Sequence, residues 1–297
     1  MNEKIALFFS NKRYKLWYYS FLILLILNFF ALSKDPLLNN LHWKTFFILI
    51  SLGIIISIDN IPKKFLKPNP SKISFLIGIS LLIVVFSNSL FDNFIYKNLD
   101  KIMTPVIVFS MCLINKPINS IFKFYKTFTI STIFFFAWFF YTPVTLILSP
   151  ITTIFSWFFL NIFLDVKINL IDDSITIGKN IIEVLGACSG VNQLFFVLTI
   201  LIVFLLEFNI LRSKDILKIF ITALLLPFFV NVFRIILLSL IVTSSLEEKQ
   251  YWFNFFHYSY GSLFFSLITC TVFSKNYFSL VKDEINKIKN SNNNQTH

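Results

Sequence analysis

Charge, cysteine and histidine are all scarce in this chain of 297 residues, and each shortage removes a class of protein. Charged residues make up 14% of the chain, against about 25% in an ordinary soluble domain, too few to cover a water-exposed globular surface. The three cysteines, Cys112, Cys188 and Cys270, and the three histidines, His42, His257 and His297, stand at no metal-ligand spacing. That argues against a zinc site. No Walker loop, dinucleotide fingerprint or internal repeat is visible, so no cofactor is expected. Acidic residues number 15 against 26 Lys and Arg, for a net charge of +11, yet the basic residues are scattered in short clusters between apolar runs. Membrane topology explains that distribution better than nucleic acid does.

What the chain has in abundance is apolar surface: 56% hydrophobic and 19% aromatic residues, with a mean hydropathy of +0.76. Runs long enough to cross a hydrocarbon core of roughly 30 Å as helices recur throughout. Candidate spans lie at 17–33, 45–61, 73–91, 102–115, 127–148, 193–211, 216–243 and 258–274. The fold class predicted is an all-α polytopic membrane protein of about eight transmembrane helices. The basic N-terminal stretch precedes an apolar run with no small-x-small cleavage site before Lys34, which predicts an uncleaved first span.

With the N-terminus inside, 18 of the 26 Lys and Arg residues face the cytoplasm, seven face outward and Arg234 lies within a span. Cytoplasmic loops carry the excess of Lys and Arg, so this imbalance sets the orientation, with both termini cytoplasmic. The longest region between spans, 149–192, then faces outward. Its first part, Ile151 to Asp165, reads as an interfacial or partly inserted helix. Its second part alternates short β-branched runs with Asp172-Asp173-Ser174 and Gly178-Lys179-Asn180, which predicts a small extracytoplasmic hairpin before the sixth span. The organisation expected is N-terminal helices 1–4 at 1–126, a core at 127–281, and a disordered cytoplasmic tail at 282–297, rich in Asn.

Three residues stand out chemically. Cys188 lies in Gly186-Ala187-Cys188-Ser189-Gly190-Val191-Asn192, where Ser189 is positioned to cap the sixth span. A thiol at a helix N-terminus is expected to have a lowered pKa, although most free cysteines are simply small buried hydrophobes. Arg234, in Asn231-Val232-Phe233-Arg234, either turns into the bundle to serve a function or snorkels to the outer interface. Asn231, one turn earlier, is placed to hold its guanidinium. His257, in Phe255-Phe256-His257-Tyr258, is on its own an ordinary interfacial histidine. All three fall in the outer half of the membrane under a topology fixed without them. A thiol and an imidazole are the minimum for nucleophilic acyl transfer, and a permanently charged Arg suits an oxyanion.

The order Cys188-Ser189-Gly190, then Asn231-x-x-Arg234, then His257-x-x-x-Gly261, within an eight-span protein, resembles the exosortase/archaeosortase family of membrane transpeptidases and proteases. The resemblance covers about 127–275. It implies Cys188 as nucleophile, His257 as general acid/base, Arg234 as oxyanion stabiliser, and Asn231, Ser189, Gly190 and Gly261 as supporting positions. It also implies as partners secreted proteins ending in a short motif, a transmembrane helix and a basic cluster, processed at the outer side of the cell membrane among its lipids. The chain departs from the family pattern at Gly186, where some members carry an acidic residue, and at Asn192, where some carry Arg. Both departures leave the recognised motif open. Rival readings are a transporter or polysaccharide-export assembly factor without catalysis, and a membrane acyltransferase using His257 as base.

Overall fold

A computed structural model describes residues 17–30, 41–61, 69–90, 99–163, 168–171, 174–178, 180–184, 186–208, 211–244, 247–258 and 260–293. Each of the eight apolar runs falls on a helix. They are α1 (Trp17–Phe30), α2 (Leu41–Asp59), α3 (Lys72–Leu90), α4 (Leu99–Asn115), α5 (Tyr125–Phe163), α6 (Val191–Glu207), α7 (Ser213–Thr243) and α9 (Tyr260–Asn293); the short α8 (Lys249–Tyr258) is additional. Apolar backbone shielded from water must satisfy its N–H and C=O groups internally, and the helix does so within one segment. Among the described residues, four stretches, containing α2, α5, α7 and α9, are long and apolar enough alone to cross a bilayer. The protein is an all-α polytopic membrane protein.

The chain divides into two compact units, Met1–Trp138 and Phe139–His297, so the division lies twelve residues beyond the boundary expected after Lys126. In the first unit α3 packs along α4, where Gly78 permits close approach: a Cβ there would lie 2.8 Å from the Ser110 carbonyl oxygen and from the Ile114 side chain. Trp17 Nε1 donates to the Met111 carbonyl at 3.0 Å, and Asn28 Nδ2 donates to the Thr104 hydroxyl at 2.9 Å.

The second unit carries the expected site residues. Between α5 and α6 run β1 (Ile168–Ile171), β2 (Ser174–Ile177) and β3 (Asn180–Glu183), an antiparallel meander of order β1-β2-β3. The predicted hairpin therefore has a third strand. Ile168 pairs with Ile177, and Ile175 with Ile182, so these four side chains share one face. That face is buried with Leu160, Val232, Ile235, Leu238 and Cys188 in a single apolar cluster. Ile181 and Glu183 point to the other, exposed side.

Two expectations are corrected. The fifth helix does not stop at 148 before a separate interfacial helix; α5 runs unbroken for 39 residues through Pro143 and Pro150. Thr152, Thr153 and Ser156 beyond Pro150 are fully buried, so tertiary packing holds the helix past the end expected at 148. Nor is 282–293 disordered, because α9 continues to Asn293. Tyr277, Val281 and Glu284, spaced four and three apart, form one buried stripe. The Tyr277 hydroxyl donates to the carbonyls of Phe204 and Phe208 at the end of α6, and Glu284 pairs with Arg212 at 2.8 Å. Residues 294–297 of the expected tail lie outside the described residues.

Candidate active site

Glycine conformations place Cys188. Gly186 takes φ +54 at the start of a 3-10 turn, Gly186–Ser189, and Gly190 takes φ +90 between that turn and α6. A residue with a Cβ adopts this left-handed region at a cost of about 1–2 kcal/mol. At Gly190 the restriction is doubled, since a Cβ would approach the Asn231 side chain to 3.0 Å. The Ser189 hydroxyl donates to the Gly186 carbonyl at 2.7 Å, Thr152 of α5 donates to the Ser189 carbonyl at 3.1 Å, and Asn231 Nδ2 of α7 donates to the Cys188 carbonyl at 2.7 Å. The backbone around the sulfur is thus tied from within the turn and from two helices.

This geometry corrects two readings. Gly190, not Ser189, occupies the N-cap of α6, and no side chain caps it, because the Ser189 hydroxyl is turned back to Gly186. Asn231 holds the turn that carries Cys188, with its amide donating to the Cys188 carbonyl.

His257 stands in the last turn of α8, with Nε2 2.7 Å from Cys188 Sγ. Its ring stacks on Phe253, one turn earlier, with centroids 5.0 Å apart and planes 26° apart. Gly261, near the start of α9, lets the chain turn tightly after α8: a Cβ there would lie 2.8 Å from the rings of Phe255 and Phe256. Arg234 is 1% exposed, and it does not snorkel. Its Nε donates to the Phe256 carbonyl at 3.1 Å and one terminal nitrogen donates to the His257 carbonyl at 2.9 Å. The final carbonyls of a helix have no partner within it, and a cation there also complements the helix dipole. Arg234 therefore fastens the end of α8 that carries the imidazole.

Cys188 is 4% exposed, and burial pushes its thiol above the ordinary range while the positive charge of Arg234 pulls the other way. The lowering expected from the helix N-terminus is not found, and the thiol is raised by desolvation instead. Burial, with Arg234 adding to it, brings His257 down to about 4. At neutral pH the resting pair is thus a thiol and a neutral imidazole rather than a thiolate and an imidazolium. A protonated thiol donates, so Nε2 accepts and the ring proton resides on Nδ1. Cys112 and Cys270 are also free thiols.

Residues the sequence did not single out also surround this turn. Thr152 touches it directly, Phe253 stacks on the His257 ring, and Tyr141 lies within electrostatic range of Cys188. Gln193, in the first turn of α6, is 2% exposed, and neither of its amide atoms has a hydrogen-bond partner among the described residues. A carboxamide following Cys-Ser-Gly at the start of an otherwise apolar helix is the signal that could have marked it.

No curated protein and no solved structure matches this chain. A family model described as transmembrane exosortase matches residues 17–274, a range that includes the Cys188 turn, Arg234, His257 and Gly261. The chain belongs to the transmembrane exosortase family, a family of membrane transpeptidases and peptidases.

Proposed function

We propose that this protein is a cysteine transpeptidase or protease of the cell membrane that cleaves the C-terminal sorting signals of secreted, membrane-anchored proteins through a thioester on Cys188. The observation that carries the reading is the 2.7 Å separation of Cys188 Sγ from His257 Nε2. It makes the thiol part of a proton-transfer pair, which disfavours an acyltransferase in which Cys188 is incidental. The 18-to-7 distribution of basic residues favours eight crossings, with both termini cytoplasmic and the Cys188 turn on the outer side.

The chemistry follows from a neutral pair. His257 Nε2 takes the thiol proton as Sγ attacks the scissile carbonyl carbon, so the thiolate need not exist beforehand. The oxyanion forms beside the buried Arg234, whose positive charge favours it where water is excluded. Collapse breaks the C–N bond, His257 returns the proton to the leaving amine, and the acyl group remains on sulfur. Water or an amine or hydroxyl acceptor then gives its proton to His257, attacks the thioester and restores the thiol. Arg234 also positions the imidazole by holding the Phe256 and His257 carbonyls.

The test is Cys188→Ala in cells that express a secreted protein ending in a short motif, an apolar helix and a basic tail. Processing should cease while the variant still inserts in the membrane. Undiminished processing would refute the assignment.

A further inference from the structure

The two outer edges of the meander differ. In an antiparallel hairpin with a two-residue connection, the residues flanking the connection exchange both backbone hydrogen bonds, and bonded pairs alternate along the ladder. Ile171 pairs with Ser174 and Ile177 with Asn180, each across two residues. Counting from these pairs, the N–H and C=O of Ile168 point away from β2, and so do those of Ile181 and Glu183 on β3. The β1 edge bears out the count, because Trp157 Nε1 of α5 donates to the Ile168 carbonyl at 3.1 Å from outside the sheet. On β3, order β1-β2-β3 leaves the outer edge with no strand, and the backbone groups of Ile181 and Glu183 have no backbone partner among the described residues. Both residues are exposed, Ile181 at 67%.

An unpaired strand edge is a template for another extended chain. Here the edge is continuous with the chemistry: four residues separate Glu183 from Cys188, and the buried face of the sheet shares one apolar cluster with that cysteine. We infer that the outer edge of β3 binds the polypeptide substrate as an added fourth strand, through the outward backbone groups of Ile181 and Glu183. This rests on the cysteine peptidase reading. It specifies the substrate as a segment in extended conformation, recognised over several residues largely by its backbone. Ile181 offers the added strand an exposed apolar neighbour.

Proline gives a selective test. At position 181 the N–H faces away from β2, so Ile181→Pro removes an edge donor and leaves the β2–β3 ladder its hydrogen bonds. The probes are acetyl-tetraalanyl chloromethyl ketone and its acetyl-alanyl counterpart, with alkylation of Cys188 in the full chain followed by mass spectrometry. In the native protein the longer probe should react at least about tenfold faster, and N-methylation at alternate alanines should remove that advantage while methylation at the intervening ones spares it. Ile181→Pro should bring the longer probe down to the rate of the shorter one. Equal rates for both probes on the native protein, or an N-methyl scan without alternation, would overturn the edge-binding inference even if Ile181→Pro failed to fold. Cys188 that reacts with neither probe would overturn the peptidase reading and this inference with it. Cys188 that reacts with both at one rate overturns this inference alone.

Discussion

Arg234 donates to the backbone carbonyl of His257, at 2.9 Å, and through Nε to that of Phe256. A residue whose charge invites an electrostatic reading is thus also a mechanical tie between α7 and the end of α8. Charge and shape can be separated by substitution.

Arg234→Lys keeps the charge and loses the fork. One ammonium cannot reproduce the paired donors, and a carbonyl left unmet costs about 1–3 kcal/mol. We expect kcat/KM for processing to fall roughly 10- to 100-fold, with Arg234→Gln lower still. Full activity in the Lys variant would mean that charge alone matters.

The pH profile should show its acid limb near 4. His257 is brought down to about 4, so it is a competent base above that value and is protonated as pH falls through it. On the alkaline side the raised thiol forms no thiolate plateau near neutrality, and alkylation by a small reagent should keep accelerating beyond pH 9. Processing in proteoliposomes from pH 3.5 to 9 reads the first limb; a midpoint near 6.5 would contradict the buried, neutral imidazole.

Two left-handed glycines should respond differently to alanine. Gly178 takes φ +60 with nothing within 4 Å of a would-be Cβ, so Gly178→Ala carries only backbone strain of about 1–2 kcal/mol. Gly190→Ala adds a 3.0 Å approach to Asn231, the residue that holds the Cys188 carbonyl. Processing should survive in the first variant and drop at least about tenfold in the second, with thermal unfolding in detergent reporting the shared strain.

Arg212→Ala should loosen the end of α9 and spare the site. The Arg212 guanidinium meets Glu284, whose side chain is 3% exposed. Its removal should speed tryptic cleavage at Lys282 and Lys287 while Cys188 alkylation stays unchanged. Equal cleavage rates would show that the Tyr277 and Val281 contacts hold this segment by themselves.

The candidate-site residues were legible in the sequence because their chemistry is expensive where it stands. Arg234 in an apolar run signalled its own importance, and Cys188 and His257 were linked to it by order and by membrane depth. The eight helical positions were legible for the same reason, since an apolar run has few other places to go. Which group holds which was not legible. Asn231 lies at helical spacing from Arg234, yet its amide reaches Cys188, 43 positions away, because the 3-10 turn brings that carbonyl to α7. Ser189 had the composition of a cap, but Gly190 in the left-handed region alters the geometry of the helix entry. The apolar span ending at 148 and the Asn-rich C-terminus looked like ends, and buried stripes on α5 and α9 carried the helices past them. Local signals gave way wherever a tertiary contact supplied the deciding energy.

The neutral, enclosed state of Cys188 has a consequence for its oxidation. Conversion of a cysteine to sulfenic acid depends on thiolate character and on access for the oxidant. A sulfur that is 4% exposed, with its proton favoured by burial, offers neither. The same desolvation that favours the thiol proton therefore shields the sulfur from peroxide, and under the proposed mechanism the vulnerable interval is the one in which a substrate chain opens the way to it.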